Sequence, residues 1–160
     1  VAPEMSGGRL HITGNSGHCI ASAYRGASKG VTGGEIIIEG SVKNELGHAM
    51  AGATMIVGGN CGDFTGVNMV SGTILAFGEM GQRTGAGMKR GSIFCMSDVK
   101  VLPTFSYDCK YSPIYLKLLF KYVQENTTIQ IEDKYINGLF HRWSGDAIEM
   151  NRGELLVYSA

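Results

Sequence analysis

Along the first hundred residues the apolar positions fall in short runs, and glycine punctuates each run. Gly34 and Gly40 enclose EIIIE, Gly52 and Gly58 enclose ATMIV, and Gly72 and Gly78 enclose TILAF. Gly8 and Gly14 enclose the more polar RLHIT; Gly91 opens SIFCM, with Ser97 in place of a closing glycine. The opening glycines at 34, 52, 72 and 91 stand 18, 20 and 19 residues apart. A methionine precedes the opening glycine by three places at Met5, Met69 and Met88, and lies one place nearer at Met50. A self-similar period near 20 residues is the mark of stacked supersecondary rows, none of which can bury its apolar side alone.

Inside each run the side chains alternate, as they do along a strand. The pattern predicts an all-β solenoid, a right-handed parallel β-helix whose rows are each one strand, a glycine corner and a second, less regular leg. The second and fourth residues after each opening glycine (Ile36/Ile38, Thr54/Ile56, Ile74/Ala76, Ile93/Cys95) are expected to fill the axis. Gly34, Gly40, Gly52, Gly58, Gly62, Gly66, Gly72, Gly78, Gly81, Gly85 and Gly91 are assigned to bends where positive φ or close backbone approach excludes a side chain. The third and fifth residues of the later rows are Met55, Val57, Leu75, Phe77, Phe94 and Met96. They would form an apolar strip on the outside, which a folded chain covers.

After Ser97 glycine thins out and aromatics appear. Residues 1–101 read as Gly-rich coils and 102–160 as a C-terminal α/β extension packed on them. Within the extension, PTFSYDCKY reads as an extended crossover and Ser112-Pro113 as a helix start, with Ser as cap and Pro in the first turn. The helix covers about 113–125 and should lay Ile114, Leu118, Leu119 and Val123 on the strip. TIQIE alternates as a strand; a turn and strand follow in YINGLFHRWSGD, and LLVY forms a last strand.

Composition adds little against this picture. The 14 basic and 14 acidic residues cancel, so nothing points to nucleic acid or an anionic membrane. No apolar segment reaches membrane-spanning length, and without a basic-then-apolar leader the expected compartment is the cytoplasm. Val1 falls within what looks like the closing half of a row, so either further rows precede it or a partner covers that end. Cys19, Cys61, Cys95 and Cys109 are widely spaced free thiols in this reading.

Candidate chemistry is sparse. Gly85-x-Gly87-x-x-x-Gly91 approaches a dinucleotide fingerprint, but SIFCM after it is a strand and offers no helix N-terminus for phosphate. His18, His48, His141 and the cysteines lack metal-ligand spacing. Asp63, Asp108 and Asp146 lie in turn contexts where carboxylates bond nearby backbone N–H groups. No nucleophile, base and oxyanion donor can be joined by spacing, so no catalytic or metal residue is assigned.

The rows, above all GGNCGDFTGVNMVSGTILAFGEMGQRTGAGMKRGSI, resemble the Gly-rich repeat shared by the C-type subunits of formylmethanofuran dehydrogenase and the C-terminal domain of the large glutamate synthase subunit. LPTFSYDCKYSPIYLKLLFKYV with RWSGDAIEMNRGELLV is similar to the C-type subunits of bacterial formyltransferase/hydrolase complexes. The resemblance covers nearly the whole chain. It implies a β-helical assembly subunit with no active site and no bound cofactor of its own. Its expected partners are a metallohydrolase-like and a formyltransferase subunit, working on formyl groups carried by methanofuran-type and tetrahydromethanopterin-type cofactors. The rival reading is an independent β-helical acyltransferase or lyase with its site in a groove between rows.

Overall fold

The computed structural model describes all residues, Val1–Ala160. The elements in chain order are β1 (Ser6–Ile12), β2 (Gly33–Ile38), β3 (Ala51–Val57), β4 (Ser71–Ala76), β5 (Ser92–Cys95), β6 (Ser106–Tyr111), α1 (Ile114–Asn126), α2 (Asp133–Ile136), β7 (Leu139–Gly145) and β8 (Gly153–Ser159). All eight strands belong to one sheet, ordered β1-β2-β3-β4-β5-β8-β7-β6. Pairing is parallel from β1 to β5 and on to β8, then antiparallel from β8 to β7 and β7 to β6.

This corrects the expected fold class: the architecture is an eight-stranded mixed sheet, not an all-β right-handed parallel β-helix. Strands form on one side of each row only. The second legs return as turns, among which Cys61↔Met80 is the one isolated bridge. Backbone bonds between neighbouring rows hold these legs, as in Cys61 N–H to Glu79 O at 2.9 Å and Phe64 N–H to Gln82 O at 2.9 Å. Left-handed residues such as Glu45, Phe64 and Arg83 turn the chain there, which is incompatible with a second sheet.

Side chains reinforce the legs in two lines. Asn15 Oδ1 accepts from Ser41 N–H, Ser41 Oγ from Asn60 N–H, and Asn60 Oδ1 from Glu79 N–H. Beside it, His18 Nδ1 accepts from Asn44 N–H, Asn44 Oδ1 from Asp63 N–H, and Asp63 Oδ1 from Gln82 N–H. Asp63 therefore bonds the next row, 19 residues on, rather than its own turn.

The opening glycines are crowded by the preceding row, methionines included. A Cβ at Gly34 would lie 2.8 Å from Met5 Cε, one at Gly72 2.7 Å from Met50 Cε, and one at Gly91 2.6 Å from Met69 Cε. The preceding row's backbone is as close, with Gly8 O 2.6 Å from a Cβ at Gly34 and Ala53 O 2.5 Å from one at Gly72, and all three glycines have positive φ, so a side chain is excluded there.

Each face of the sheet has its own core. On one, Ile36, Ile38, Met55, Val57, Ile74, Ala76, Ile93 and Cys95 pack against the returning legs. On the other, Ile37, Ile56, Leu75, Phe94 and Leu156 pack under α1, which contributes Leu116, Leu119, Phe120 and Val123. Met55 and Val57 are thus not on the strip with Leu75, Phe77, Phe94 and Met96, a second correction. The cause is a bulge: between Ala51 and Thr54 two residues of β3 oppose one of β4. Ala53, not Gly52, is the counterpart of Gly34, Gly72 and Gly91, and one extra residue reverses which side chains face which core.

Of the helix residues expected on the sheet, Leu119 and Val123 are there, but Leu116 and Phe120 take the places of Ile114 and Leu118. Leu116, Leu119, Phe120 and Val123 are buried at i, i+3, i+4 and i+7, while Ile114 and Leu118 are 78% and 64% exposed. Pro113 is the N-cap, and Ser112 makes no capping bond. TIQIE is not a strand; Ile129 and Ile131 instead pack on the edge of the helix-side core.

Candidate functional site: the face around α1 and β6

In the row region two of the three thiols are buried and the histidines stand apart. Burial raises the Cys61 thiol to about 12 and pushes Cys95 further up, so both are core residues at neutral pH. Exposed Cys19 is raised as well, by partial burial first and then by Glu45. The histidines are dispersed: His11 faces Glu39 at 2.6 Å, His48 lies 3.8 Å from Glu45, and His141 Nδ1 meets the Tyr107 hydroxyl at 3.1 Å. No three His, Cys, Asp or Glu side chains gather where a metal ion could be held. Asp146 is buried and accepts Ile148 N–H at 3.3 Å, the local bond its turn context predicts, and Gly87 N–H at 2.9 Å, a bond to a residue 59 places away that spacing does not reveal.

The corner glycines fall where rows turn or touch. Gly66 and Gly85 sit at φ 70° and 72° in successive legs. A Cβ at Gly85 would crowd Met88 Sδ at 3.0 Å and Phe105 at 3.1 Å. Gly40, Gly58, Gly62, Gly78 and Gly81 lie against the backbone of the preceding row, and Gly34, Gly52, Gly72 and Gly91 open the strands.

Among the depressions, one of ≈ 410 Å³ is lined by Val70, Ser71, Lys89, Arg90, Glu149, Met150 and Arg152, and another of ≈ 330 Å³ includes His141 and Trp143. Neither brings a nucleophile and a base into contact.

Polar organisation is densest on the helix side of β8, β7 and β6. Arg142 Nε donates to Glu154 Oε2 at 2.7 Å, and its Nη1 donates to Asp108. Ser92 donates to Glu154 at 2.6 Å and Ser144 to Asp108 at 2.6 Å. The Glu154 carboxylate holds the Arg142 guanidinium above its usual range. The Tyr111 phenol is raised too, by partial burial first and then by Glu154. Sequence context places Asp108 in a turn; it is instead the bulged residue of β6, since Tyr107 and Cys109 oppose adjacent residues of β7. Nothing in the sequence links Asp108, Arg142 and Glu154, which only the antiparallel strands bring together.

Beside this network α1 presents a second stripe outward. Ile114, Tyr115 and Leu118 are 78%, 49% and 64% exposed, and Tyr111, at the end of β6 just before the helix, is 37% exposed. Lys117 and Lys121 flank them, both exposed. Strand β6 is exposed throughout and pairs on one side only. With two tyrosines, two aliphatics and a fixed arginine, the face has the composition of a protein contact rather than of a catalytic cleft.

No family model matches the sequence, and no curated protein matches it. A solved structure does: the X-ray crystal structure of the formyltransferase/hydrolase complex (FhcABCD) from Methylorubrum extorquens in complex with methylofuran. This chain superposes on a chain of that complex with a TM-score of 0.87 at 26% sequence identity. The match covers 100% of this chain and 59% of that one, so this chain spans somewhat over half the length of the subunit it is similar to.

Proposed function

We propose that this chain is the assembly subunit of a formyltransferase/hydrolase-type complex, in the place of its C-type subunit, and has no turnover of its own. The observation that carries the reading is the superposition of the whole chain on a subunit of such a complex.

The reaction class is transfer and hydrolysis of formyl groups, carried out by metallohydrolase-like and formyltransferase partners in the cytoplasm. The similar complex holds methylofuran, which favours a methanofuran-type carrier here; a tetrahydromethanopterin-type carrier completes the proposed pair. The role of this chain is rigidity. Its rows are tied side chain to backbone and can hold two catalytic partners at a fixed distance.

Co-expression with the two catalytic subunits tests the proposal. The expected result is a complex of fixed stoichiometry, formyl transfer by that complex, and none by this chain alone. Turnover by the isolated chain, abolished by Asp63→Asn or His48→Ala, would sink the proposal and restore the independent enzyme.

A further inference from the structure

We propose that the depression lined by Lys89, Arg90 and Arg152 binds a phosphoryl group, either inorganic phosphate or the end of a small phosphomonoester. The chain builds this depression by itself, whether or not it joins a complex.

Three observations carry it. First, the register of the sheet stacks two arginines. Thr73, Ser92 and Glu154 stand opposite one another in β4, β5 and β8. Two places back in each row are Ser71, Arg90 and Arg152. Neighbouring strands lie about 4.8 Å apart, and like charges set opposite one another destabilise a sheet. Backbone bonds from Lys89 N–H to Met69 O at 2.7 Å and from Glu154 N–H to Gly91 O at 3.0 Å hold the rows together there. The earlier rows are neutral at this place, with Ala51 opposite Ser71.

Second, no carboxylate of the chain answers these arginines. Arg142, one strand further along the sheet, is held by both Glu154 and Asp108. Glu149 is the one acid lining the depression, and it forms no ion pair with Lys89, Arg90 or Arg152. Three cations against one acid leave an excess of positive charge around a cavity of ≈ 410 Å³, in a chain of zero net charge. All three cations are exposed, so a dissolved ligand reaches them.

Third, the lining suits a tetrahedral oxyanion. Two guanidinium forks, an ammonium and the Ser71 hydroxyl offer donors from several directions. A phosphoryl group brings three acceptor oxygens and a charge of about −1.5 to −2 at neutral pH. A single carboxylate brings two oxygens and one charge, which leaves the site cationic. Val70 and Met150 form an apolar wall beside the cations, where the organic part of a phosphomonoester has room. A nucleic-acid strand needs a longer track of cations than this one depression supplies.

Thermal melts of the purified full chain test the proposal, with sodium chloride at equal ionic strength as reference. Inorganic phosphate at about 10 mM should raise the melting temperature by about 2 °C or more. Arg90→Gln and Arg152→Gln should each weaken phosphate binding by about tenfold. Without phosphate at low salt, either variant should melt above wild type, because the opposed charges are gone. That gain separates relief of repulsion from simple damage to the fold. Glu149→Gln should tighten binding, and Lys43→Gln, exposed on another leg, should leave the response unchanged. Glycerol 3-phosphate acting at lower concentration than phosphate would identify the ligand as a phosphomonoester; equal potency would identify it as free phosphate. The proposal is overturned if phosphate does no more than chloride, or if it protects both arginine variants as well as wild type. Acetate matching phosphate would make the ligand a carboxylate and overturn the phosphoryl assignment.

Discussion

The two faces of the sheet are covered in different ways. On the leg side every row brings its own cover, and the same solution recurs: a methionine under the next glycine, a left-handed turn, and an amide or carboxylate reaching the next row. On the helix side a single α1 spans Ile37, Ile56, Leu75 and Phe94 at once, with no recurrence. Damage should therefore stay near its row on the first face and spread over several rows on the second.

The largest effect expected is Phe120→Ala, which empties a nearly fully buried site. It should cost about 3–5 kcal/mol. Urea unfolding gives the size, and amide exchange should quicken in α1 and across β2 to β5 together. Met69→Ala should cost about 2–5 kcal/mol, with faster exchange confined to β4 and β5. If exchange quickened as widely as for Phe120→Ala, the contrast between the faces would fail.

Gly85→Val forces a β-branched residue to φ 72° between Met88 and Phe105. It should destabilise by about 1–3 kcal/mol from backbone strain alone. Gly17→Val, at a position with open space around it, should leave the melting temperature unchanged. Equal melts for the two variants would show that the legs do not depend on their turns.

The smallest effect concerns the tie between α1 and the far edge of the sheet. The Thr128 hydroxyl, with further help from His11, holds the Glu39 carboxyl below its ordinary value of 4.5. A carboxyl lowered in the folded state adds stability that is complete above its unfolded value and disappears as pH falls through the folded one. Glu39→Gln should therefore melt below wild type at neutral pH, and the gap should close under acid. A gap independent of pH would mean that the contact does not depend on charge.

Much of the row region was legible because alternation and glycine spacing are local signals. The bulge in β3 is where they mislead. Reading Gly52 as the counterpart of Gly72 skips one residue and moves Met55 and Val57 to the wrong face. The displaced Met50 is the available clue, since counting three places on from it gives Ala53. Another row lies out of sequence: MNRGELLV, residues 150–157, matches MKRGSIFC, residues 88–95, and β8 takes its place beside β5. The helix is ambiguous because it carries two apolar stripes, and composition does not say which one the sheet takes. The Arg142 network was beyond reach for a plainer reason: its members are 12 and 34 residues apart and meet only through antiparallel pairing.

That late row bears on how the protein is made. Each of β2 to β5 can add to its predecessor soon after leaving the ribosome, because the loops to be closed are short. β5 must then wait for β8, as Ser92 and Glu154 are 62 residues apart. In that interval Ile93 and Phe94 border an unpaired parallel edge, the kind of surface on which nascent chains join one another. The stretch between them, α1 included, is thus a timed exposure during synthesis, and slowing translation across residues 96–152 should raise the fraction of chains lost to aggregation.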